Sequence, residues 1–375
     1  MEEHSPLGAS GSNCWLNCAV SYWAQKDIPD KSSAFAFEGT CAHELSEICL
    51  ANKIAARRRI GLPLHINKDF IVTSEMADYA QTYIDYVRSV GGVQEYEQKV
   101  SYSDWVPDGF GTADVIATVD DILYVIDLKY GKGVKVFAEH NPQGMLYALG
   151  ALHERAVFQD FKEVVIVIHQ PRLNHLSEWS ITPKELYEWA EWVKERAAMC
   201  LEPDAPRNPG EKQCQWCRAK PTCPELQTKT EHALMVQFED MSVKTPPTPQ
   251  ELTEQDLQFI MHNKSLIESW LKSVETHVKG LIESGHGFPG WKMVAGRSNR
   301  KWADDGDAAK TLTTLLGEDA YVKKLLTAPA AEKALGKDGK KQIQSMIVKP
   351  EGKPVLVPEE DKRPALVGIT ADDFD

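Results

Sequence analysis

The chain has 375 residues, of which 42% are hydrophobic, enough for one large domain or two modest ones with a substantial core. Acidic residues outnumber basic ones by 55 to 42, and the net charge of −13 argues against a protein that coats nucleic acid non-specifically. There is no run of about 18 apolar residues and no basic segment followed by an apolar one at the start, so we expect a cytosolic protein without a membrane span or signal peptide.

The first third of the chain is predicted to be helical. A short helix is expected over residues 10–24. Thr40 is a typical N-cap for a helix that runs to about Arg58 and carries His43 on one face. A further amphipathic helix is predicted over residues 74–91, because an acidic first turn and a terminal glycine pair are typical of helix ends.

The middle of the chain alternates strands with helices, which predicts an α/β fold with a mixed central sheet flanked by helices. The predicted elements are a strand at 96–100, a hairpin at 110–129, a helix from Asn141-Pro142, strands at 164–168 and 176–181, and a helix at 183–200. A Pro/Thr linker at 245–249 precedes a long predicted helix at 250–284.

The predicted hairpin carries the most informative residues. If Asp120-Asp121 forms a two-residue turn, Asp114 lies directly across from Asp127, with Cβ atoms roughly 4.5–5.5 Å apart. Lys129 is two residues beyond Asp127, so their side chains point to one face. Two close carboxylates repel each other unless a cation lies between them, which predicts a site for a hard metal such as Mg²⁺ or Mn²⁺. Glu97, on the preceding strand, is either a further site residue or an ordinary exposed one.

This set of residues resembles the PD-(D/E)xK nuclease superfamily, and within it the RecB-type exonucleases. The family's metal-binding aspartate matches Asp114, and its Asp-x-Lys motif matches Asp127-Leu128-Lys129. Its Gln-x-x-x-Tyr helix motif matches Gln143 and Tyr147, and its upstream histidine matches His43. The proline that usually precedes the first aspartate is absent.

The resemblance assigns a role to each matching residue. It implies that the ligands of one or two Mg²⁺ or Mn²⁺ ions are His43, Asp114, Asp127 and the Leu128 carbonyl. Lys129 would position or activate the attacking water. Gln143 and Tyr147 would orient that lysine or contact the DNA backbone.

The resemblance covers residues 10–225 and implies a metal-dependent DNA exonuclease. The overall sequence also resembles a phage and prophage family of RecB-like proteins, and this resemblance extends to the C-terminus. It implies that the enzyme would serve phage recombination or replication in the cytoplasm of a bacterial host. A structure-specific endonuclease and a DNA-binding recombination subunit with little activity are the alternatives.

Three of the eight cysteines form a compact motif, Cys214-x-x-Cys217-x5-Cys223. Such a motif in a cytosolic protein indicates a metal centre rather than disulfides. The centre needs a fourth ligand, and four thiolates suit either a [4Fe-4S] cluster or tetrahedral Zn²⁺.

The resemblance extends to these cysteines. AddB-type nucleases and the CRISPR adaptation nucleases place one cysteine before the core and three after it, around a [4Fe-4S] cluster. This implies Cys18 as the fourth ligand, with Cys14 as its rival, and a cluster that staples the first helix to the end of the core. The remaining three are expected to be buried small hydrophobes: Cys41, Cys49 and Cys200.

We divide the chain into a nuclease core with the cysteine staple (1–228), an α-rich region (250–348) and an extended acidic tail (349–375). The candidate DNA-binding residues of the second region are Arg297, Arg300 and Lys301. Residues 370–375 resemble the acidic tips by which single-stranded-DNA-binding proteins dock partners. A single-stranded-DNA-binding or annealing protein is therefore a candidate partner, although a disordered solubilising end is the simpler interpretation.

Overall fold

The computed structural model describes residues 5–29, 34–234 and 253–286, with Phe288 and Trp291, and is built around a five-stranded sheet. The strands are β1 (Val93–Ser101), β2 (Phe110–Val119), β3 (Ile122–Leu128), β4 (Glu163–Gln170) and β5 (His175–Ile181), and they lie side by side in chain order. Neighbours pair antiparallel except β3 and β4, which are parallel. The predicted mixed sheet is confirmed.

Helices cover both faces of this sheet. The longer ones are α3 (Ala34–Ala51), α4 (Ser74–Val90), α5 (Pro142–Arg155), α6 (Pro183–Cys200) and α9 (Glu254–Glu283). The shorter ones are α1 (Ser12–Trp15), α2 (Ser21–Gln25), α7 (Glu211–Cys214) and α8 (Pro224–Leu234), with 3-10 turns at Ala9–Gly11, Ala56–Arg59, Pro171–Leu173 and Lys220–Thr222. Buried side chains of α3 and α4 form one core with the sheet, and those of α5 and α6 form another.

The hairpin between β2 and β3 has the predicted register. Asp120 and Asp121 form the turn, and Val119 pairs with Ile122. The pairing continues to Val115 and Ile126, so the next residue pair along the hairpin is the one that holds the predicted aspartates.

Helix α5 is the crossover that makes β3 and β4 parallel. Asn141 caps it, as predicted, because its side chain accepts the Gly144 N–H at 3.0 Å, and Pro142 occupies the first helical turn. A Cβ atom on Gly144 would lie 2.5 Å from Cγ2 of Ile166 on β4. Glycine therefore sets how closely this helix approaches the sheet.

Two predicted helices differ from the structure. Helix α3 begins at Ala34, so Thr40 lies inside it and donates its hydroxyl to the Ala36 carbonyl instead of capping. It ends at Ala51, before Lys53 turns left-handed with a φ of 54°. A threonine hydroxyl can either cap the start of a helix or donate to a carbonyl inside one, and the neighbouring residues in the sequence do not show which of the two occurs. The helix predicted over residues 10–24 is broken into α1 and α2.

The chain divides into two compact units, residues 1–286 and 287–375. The predicted long helix is α9, and its Leu266 packs with Cys214 and Leu226 in the first unit. The first unit thus includes this helix. The predicted linker at 245–249 and residues 292–375 lie outside the described residues. No helix in the described ranges has the length and apolar character needed to cross a bilayer.

We predict that Gly144→Ala lowers the free energy of unfolding by about 1–3 kcal/mol, because the added methyl overpacks Ile166. Gly39→Ala in α3 is the matched control. A Cβ there meets nothing within 4 Å, so this change should stabilise the protein by roughly 0.5–1 kcal/mol. Urea unfolding measures both, and equal stability of the two variants would contradict the packing argument.

Candidate active site

Asp114 connects three elements at one end of the sheet. Its Oδ2 accepts the Leu128 N–H at 2.7 Å, and its Oδ1 lies 3.2 Å from Nδ1 of His43 on α3. The ladder between β2 and β3 stops at Val115 and Ile126, so beyond that point the carboxylate takes the place of a main-chain partner. The structure thus brings His43, Asp114 and the Leu128 N–H together.

Asp114 and His43 form an ion pair in the metal-free protein. Burial alone would lower the pKa of His43, but the Asp114 carboxylate outweighs it and raises that pKa to about 9. Burial would likewise raise the pKa of Asp114, but the charge and hydrogen bond of His43 lower it. Only the neutral imidazole binds a metal, so cation binding at His43 must release its proton.

Lys129 joins β3 to α5. Its Nζ lies 3.1 Å from Oδ1 of Asp127 and donates to Oε1 of Gln143 at 2.8 Å. Gln143 in turn lies 3.3 Å from the Tyr147 hydroxyl. Burial would lower the pKa of Lys129, but Asp127 and Asp114 raise it, so the side chain remains an ammonium group. The predicted contact between the lysine and the Gln-x-x-x-Tyr helix is present.

Asp127 is only 3% exposed. Its Oδ2 lies 3.0 Å from Nζ of Lys129 but in a geometry that makes no hydrogen bond, so this buried oxygen has no such partner in the described part of the chain. Burial, and then the Asp114 charge, raise the pKa of Asp127, although Lys129 opposes the shift. Lys129 and the protonated His43 thus face one carboxylate each, Asp127 and Asp114.

The sequence did not decide whether Glu97 is a site residue or an ordinary exposed strand residue. The pairs on either side of it, Tyr96 with Val115 and Gln98 with Ala113, place it across from Asp114 on β1. One ligand atom from each of His43, Glu97 and Asp114 lies within 4.8 Å of the other two. Burial, then the Asp114 charge, raise the pKa of Glu97 to about 7.

Two backbone features shape the site. Glu97 has a φ of 47°, in the left-handed region that a strand residue rarely adopts, and no sequence pattern indicates this distortion. At Gly111, which begins β2's Gly-Thr-Ala-Asp segment, a Cβ would lie 2.6 Å from Cε1 of Tyr147. This glycine lets the tyrosine ring lie against the strand.

A second site lies in the cysteine segment. Five cysteines line one cavity of about 100 Å³: Cys14, Cys18, Cys214, Cys217 and Cys223. Main-chain N–H groups of Asn208 and Gly210 lie 3.5 and 3.4 Å from the sulfurs of Cys18 and Cys214. The other three cysteines are fully buried, as predicted: Cys41, Cys49 and Cys200.

Both candidates for the fourth thiolate reach this cavity. Cys14 is hydrogen-bonded to Cys217, and Nε2 of Gln25 lies 3.6 Å from its sulfur. Cys18 lies at the break between α1 and α2. The four predicted ligands and Cys14, the alternative fourth ligand, therefore line the same cavity.

Some of the residues predicted to contact DNA or a partner protein lie in parts of the chain that the structure does not describe. Arg297, Arg300 and Lys301 lie outside the described residues, as do residues 370–375. In the turn after α3, Arg57 pairs with Asp78 at 3.0 Å and Arg59 donates to the Pro63 carbonyl.

The fold and site define an α/β protein with an acidic pocket and a half-buried lysine at one end of a mixed sheet. A family profile described as "Protein of unknown function (DUF2800)" matches residues 4–364, and the chain belongs to this family.

Two solved structures have a distant likeness to the chain. The crystal structure of SSO0001 is 14% identical over 60% of this chain and 88% of that one, with a TM-score of 0.30. A "Putative exonuclease" from Eubacterium rectale is 11% identical over 66% of this chain and 92% of that one, with a TM-score of 0.35. Scores this low carry no inference about activity.

We predict that Glu97→Gln stabilises the metal-free protein as the pH rises. The folded pKa of about 7 exceeds the ordinary 4.5, so the folded state holds a proton that the unfolded chain has lost. Glu97 therefore lowers the free energy of unfolding by an increasing amount as the pH rises between these two values, and the decrease is complete above pH 7. In EDTA, the melting temperature of the variant relative to wild type should increase from pH 4.5 to pH 8.

Glu163→Gln, which changes a glutamate at the start of β4, is the control for this measurement. It should show no comparable trend. A flat difference for Glu97→Gln would mean that its carboxyl is not held beside Asp114.

Proposed function

We propose that this protein is a Mg²⁺- or Mn²⁺-dependent deoxyribonuclease that acts as an exonuclease in phage recombination or replication. One observation carries the proposal. The Lys129 ammonium lies against Asp127 and Gln143, next to an Asp114 carboxylate fixed by His43 and a main-chain N–H. This arrangement of charges suits phosphodiester hydrolysis assisted by a divalent cation.

The residues of the site fit a hard divalent cation. Carboxylate oxygens and an imidazole nitrogen are suitable donors, and the three carboxylates of Asp114, Asp127 and Glu97 outnumber the two cationic side chains that face them, Lys129 and His43. The ligands would be His43, Asp114, Asp127 and the Leu128 carbonyl, with Glu97 in addition. When bound, the cation would lower the pKa of a water molecule and neutralise charge on the phosphate.

The chain's own residues supply the rest. Lys129 is held protonated by its carboxylate neighbours, so it would offset charge on the scissile phosphate rather than act as a general base. Gln143 fixes the lysine through its Oε1. Tyr147, at the far end of that hydrogen-bonded chain, is only 7% exposed, so it would serve to orient Gln143 and Lys129 rather than contact the DNA backbone.

Two rival functions differ from this proposal in testable ways. A DNA-binding subunit with little activity would not need the preformed contacts of Lys129 and Asp114, so their presence supports an enzyme. An endonuclease would cut circular DNA, whereas an exonuclease requires an end. Digestion of linear and covalently closed circular DNA with Mg²⁺ or Mn²⁺ separates the two.

We predict that Asp127→Asn and Lys129→Ala each reduce DNA cleavage by about 10²–10³-fold or more. The asparagine can still accept from Lys129, so this variant should keep its fold while losing the charge. Asp121→Asn, in the exposed hairpin turn, is the matched control and should cleave at the wild-type rate. Cleavage by Asp127→Asn at the control's rate would reject the assignment.

We further propose that the cysteine cavity holds a [4Fe-4S] cluster, with Zn²⁺ as the alternative. In a zinc site, bonds of about 2.3 Å place neighbouring sulfurs about 4 Å apart. In the described ranges no three of these sulfurs lie within 4.8 Å of one another, although Cys14 is hydrogen-bonded to Cys217. The N–H groups directed at sulfur suit either centre, so the cluster is proposed from the resemblance of the cysteine pattern to that of AddB-type nucleases.

We predict a brown protein, absorbing at about 400 nm, when it is purified without oxygen. Serine at position 214, 217 or 223 should bleach it, because each removes a thiolate ligand, whereas Cys49→Ala should not. If Cys18→Ser keeps its iron and Cys14→Ser loses it, the fourth ligand is Cys14. One zinc per chain and no iron would reject the cluster.

DNA and a DNA-bound protein remain the proposed partners. Arg297, Arg300 and Lys301 form a short basic run in an acidic chain, which suits contact with phosphates. The acidic end of the chain, with Phe374, is the proposed contact for a single-stranded-DNA-binding or annealing protein.

A further inference from the structure

Tyr83 is a buried tyrosine whose hydroxyl group has no hydrogen-bond partner in the described part of the chain. It lies on α4 and is 1% exposed. Its ring stacks on His169 of β4, with centroids 5.7 Å apart, which fixes where the hydroxyl lies. A buried polar group left unpaired costs about 1–3 kcal/mol, so the position needs an explanation beyond packing.

The surroundings of Tyr83 are the carboxylates of the proposed metal site. Tyr83 lines a cavity of about 10 Å³ together with His43, Glu97 and Asp114. A space of about this size holds one water molecule when two to four polar groups surround it. The cavity meets both conditions.

The chemistry fixes the direction of any hydrogen bond there. Burial, followed by the charges of Asp114, Asp127 and Glu97, raises the pKa of Tyr83 well above its ordinary value. The hydroxyl is therefore protonated and can donate. The acceptors that line the cavity are the carboxylates of Asp114, Glu97 and Glu47. Asp114 already accepts the Leu128 N–H and faces His43. Of the other two, Glu97 is the one whose ligand atom lies within 4.8 Å of those of His43 and Asp114, so a contact with Glu97 would affect the metal site.

We propose that Tyr83 is a positioning residue of the metal centre. Its hydroxyl donates, through one water molecule in the cavity, to the Glu97 carboxylate. This contact holds Glu97 where it joins His43 and Asp114 around a cation. The inference rests on the proposed function, since it requires a cation at this site.

The test is Mn²⁺ affinity of the full-length protein, measured by isothermal titration calorimetry for wild type and Tyr83→Phe. Loss of a group that orients a metal ligand typically weakens binding 10–100-fold, so we expect about 10-fold. In EDTA the variant should unfold at nearly the same urea concentration as wild type, because one water-mediated hydrogen bond contributes little net stability.

Tyr102→Phe is the matched control. Tyr102 is also fully buried, but its hydroxyl donates to the Phe110 carbonyl at 2.8 Å in the other core. Its removal should lower stability and leave Mn²⁺ affinity unchanged. Tyr83→Phe should therefore weaken Mn²⁺ binding with little effect on stability, whereas Tyr102→Phe should lower stability with no effect on Mn²⁺ binding.

A double-mutant cycle tests the route by which Tyr83 affects Mn²⁺ binding, namely through Glu97. If Tyr83 acts through Glu97, Tyr83→Phe should weaken Mn²⁺ binding less in a Glu97→Gln background than in wild type. Additive effects on affinity would overturn that route. A loss of stability in EDTA as large as that of Tyr102→Phe would overturn the proposal too, since the Tyr83 hydroxyl would then have a direct structural partner.

The remaining outcomes separate this inference from the proposed function. Equal Mn²⁺ affinity of Tyr83→Phe and wild type, with tight binding by both, overturns only the role of Tyr83. If wild type binds no divalent cation, the proposed metal-dependent function fails, and the role of Tyr83 fails with it.

Discussion

The site depends on the Asp114 carboxylate, which takes a position where the β2–β3 ladder would otherwise continue. One oxygen accepts a main-chain N–H of β3 and the other faces His43 on α3. Charge-assisted hydrogen bonds of this kind are stronger than neutral ones and have a defined geometry. Because the contacts come from different elements, the packing of α3 on the sheet and the register of the hairpin fix the site together.

The second constraint is an excess of buried negative charge. Asp114, Asp127 and Glu97 lie side by side across β2, β3 and β1, with Lys129 and His43 as the facing cations. Burial and mutual repulsion raise the pKa values of Glu97 and Asp127, so ionising them costs free energy. A divalent cation would remove that cost. Metal affinity and metal-free instability would then have the same physical origin.

Local patterns predicted the parts of the fold that local interactions determine. The Asp120-Asp121 turn gave the hairpin register, and Asn141-Pro142 gave the start of α5, because cap and turn residues act within a few positions. The i, i+4 spacing of Gln143 and Tyr147 placed them on one face of that helix, where the structure joins them to Lys129.

Residues that reach the site through long-range packing were harder to predict. Glu97 lies beside Asp114 because β1 pairs with β2 through a long connection and carries a left-handed backbone angle. Tyr83 reaches the same cavity only because α4 packs across the sheet. The predicted cap at Thr40 is wrong because a threonine hydroxyl can equally donate to a carbonyl inside a helix, here that of Ala36.

The central claim is that Asp114 organises a divalent-cation site, and the most direct test is anomalous diffraction from crystals of the full chain soaked in Mn²⁺. The account predicts a manganese peak bounded by His43, Asp114 and Asp127, with Glu97 turned toward it. Ordered crystals at saturating Mn²⁺ that show no peak there, with the Lys129 ammonium still covering Asp127, would contradict it.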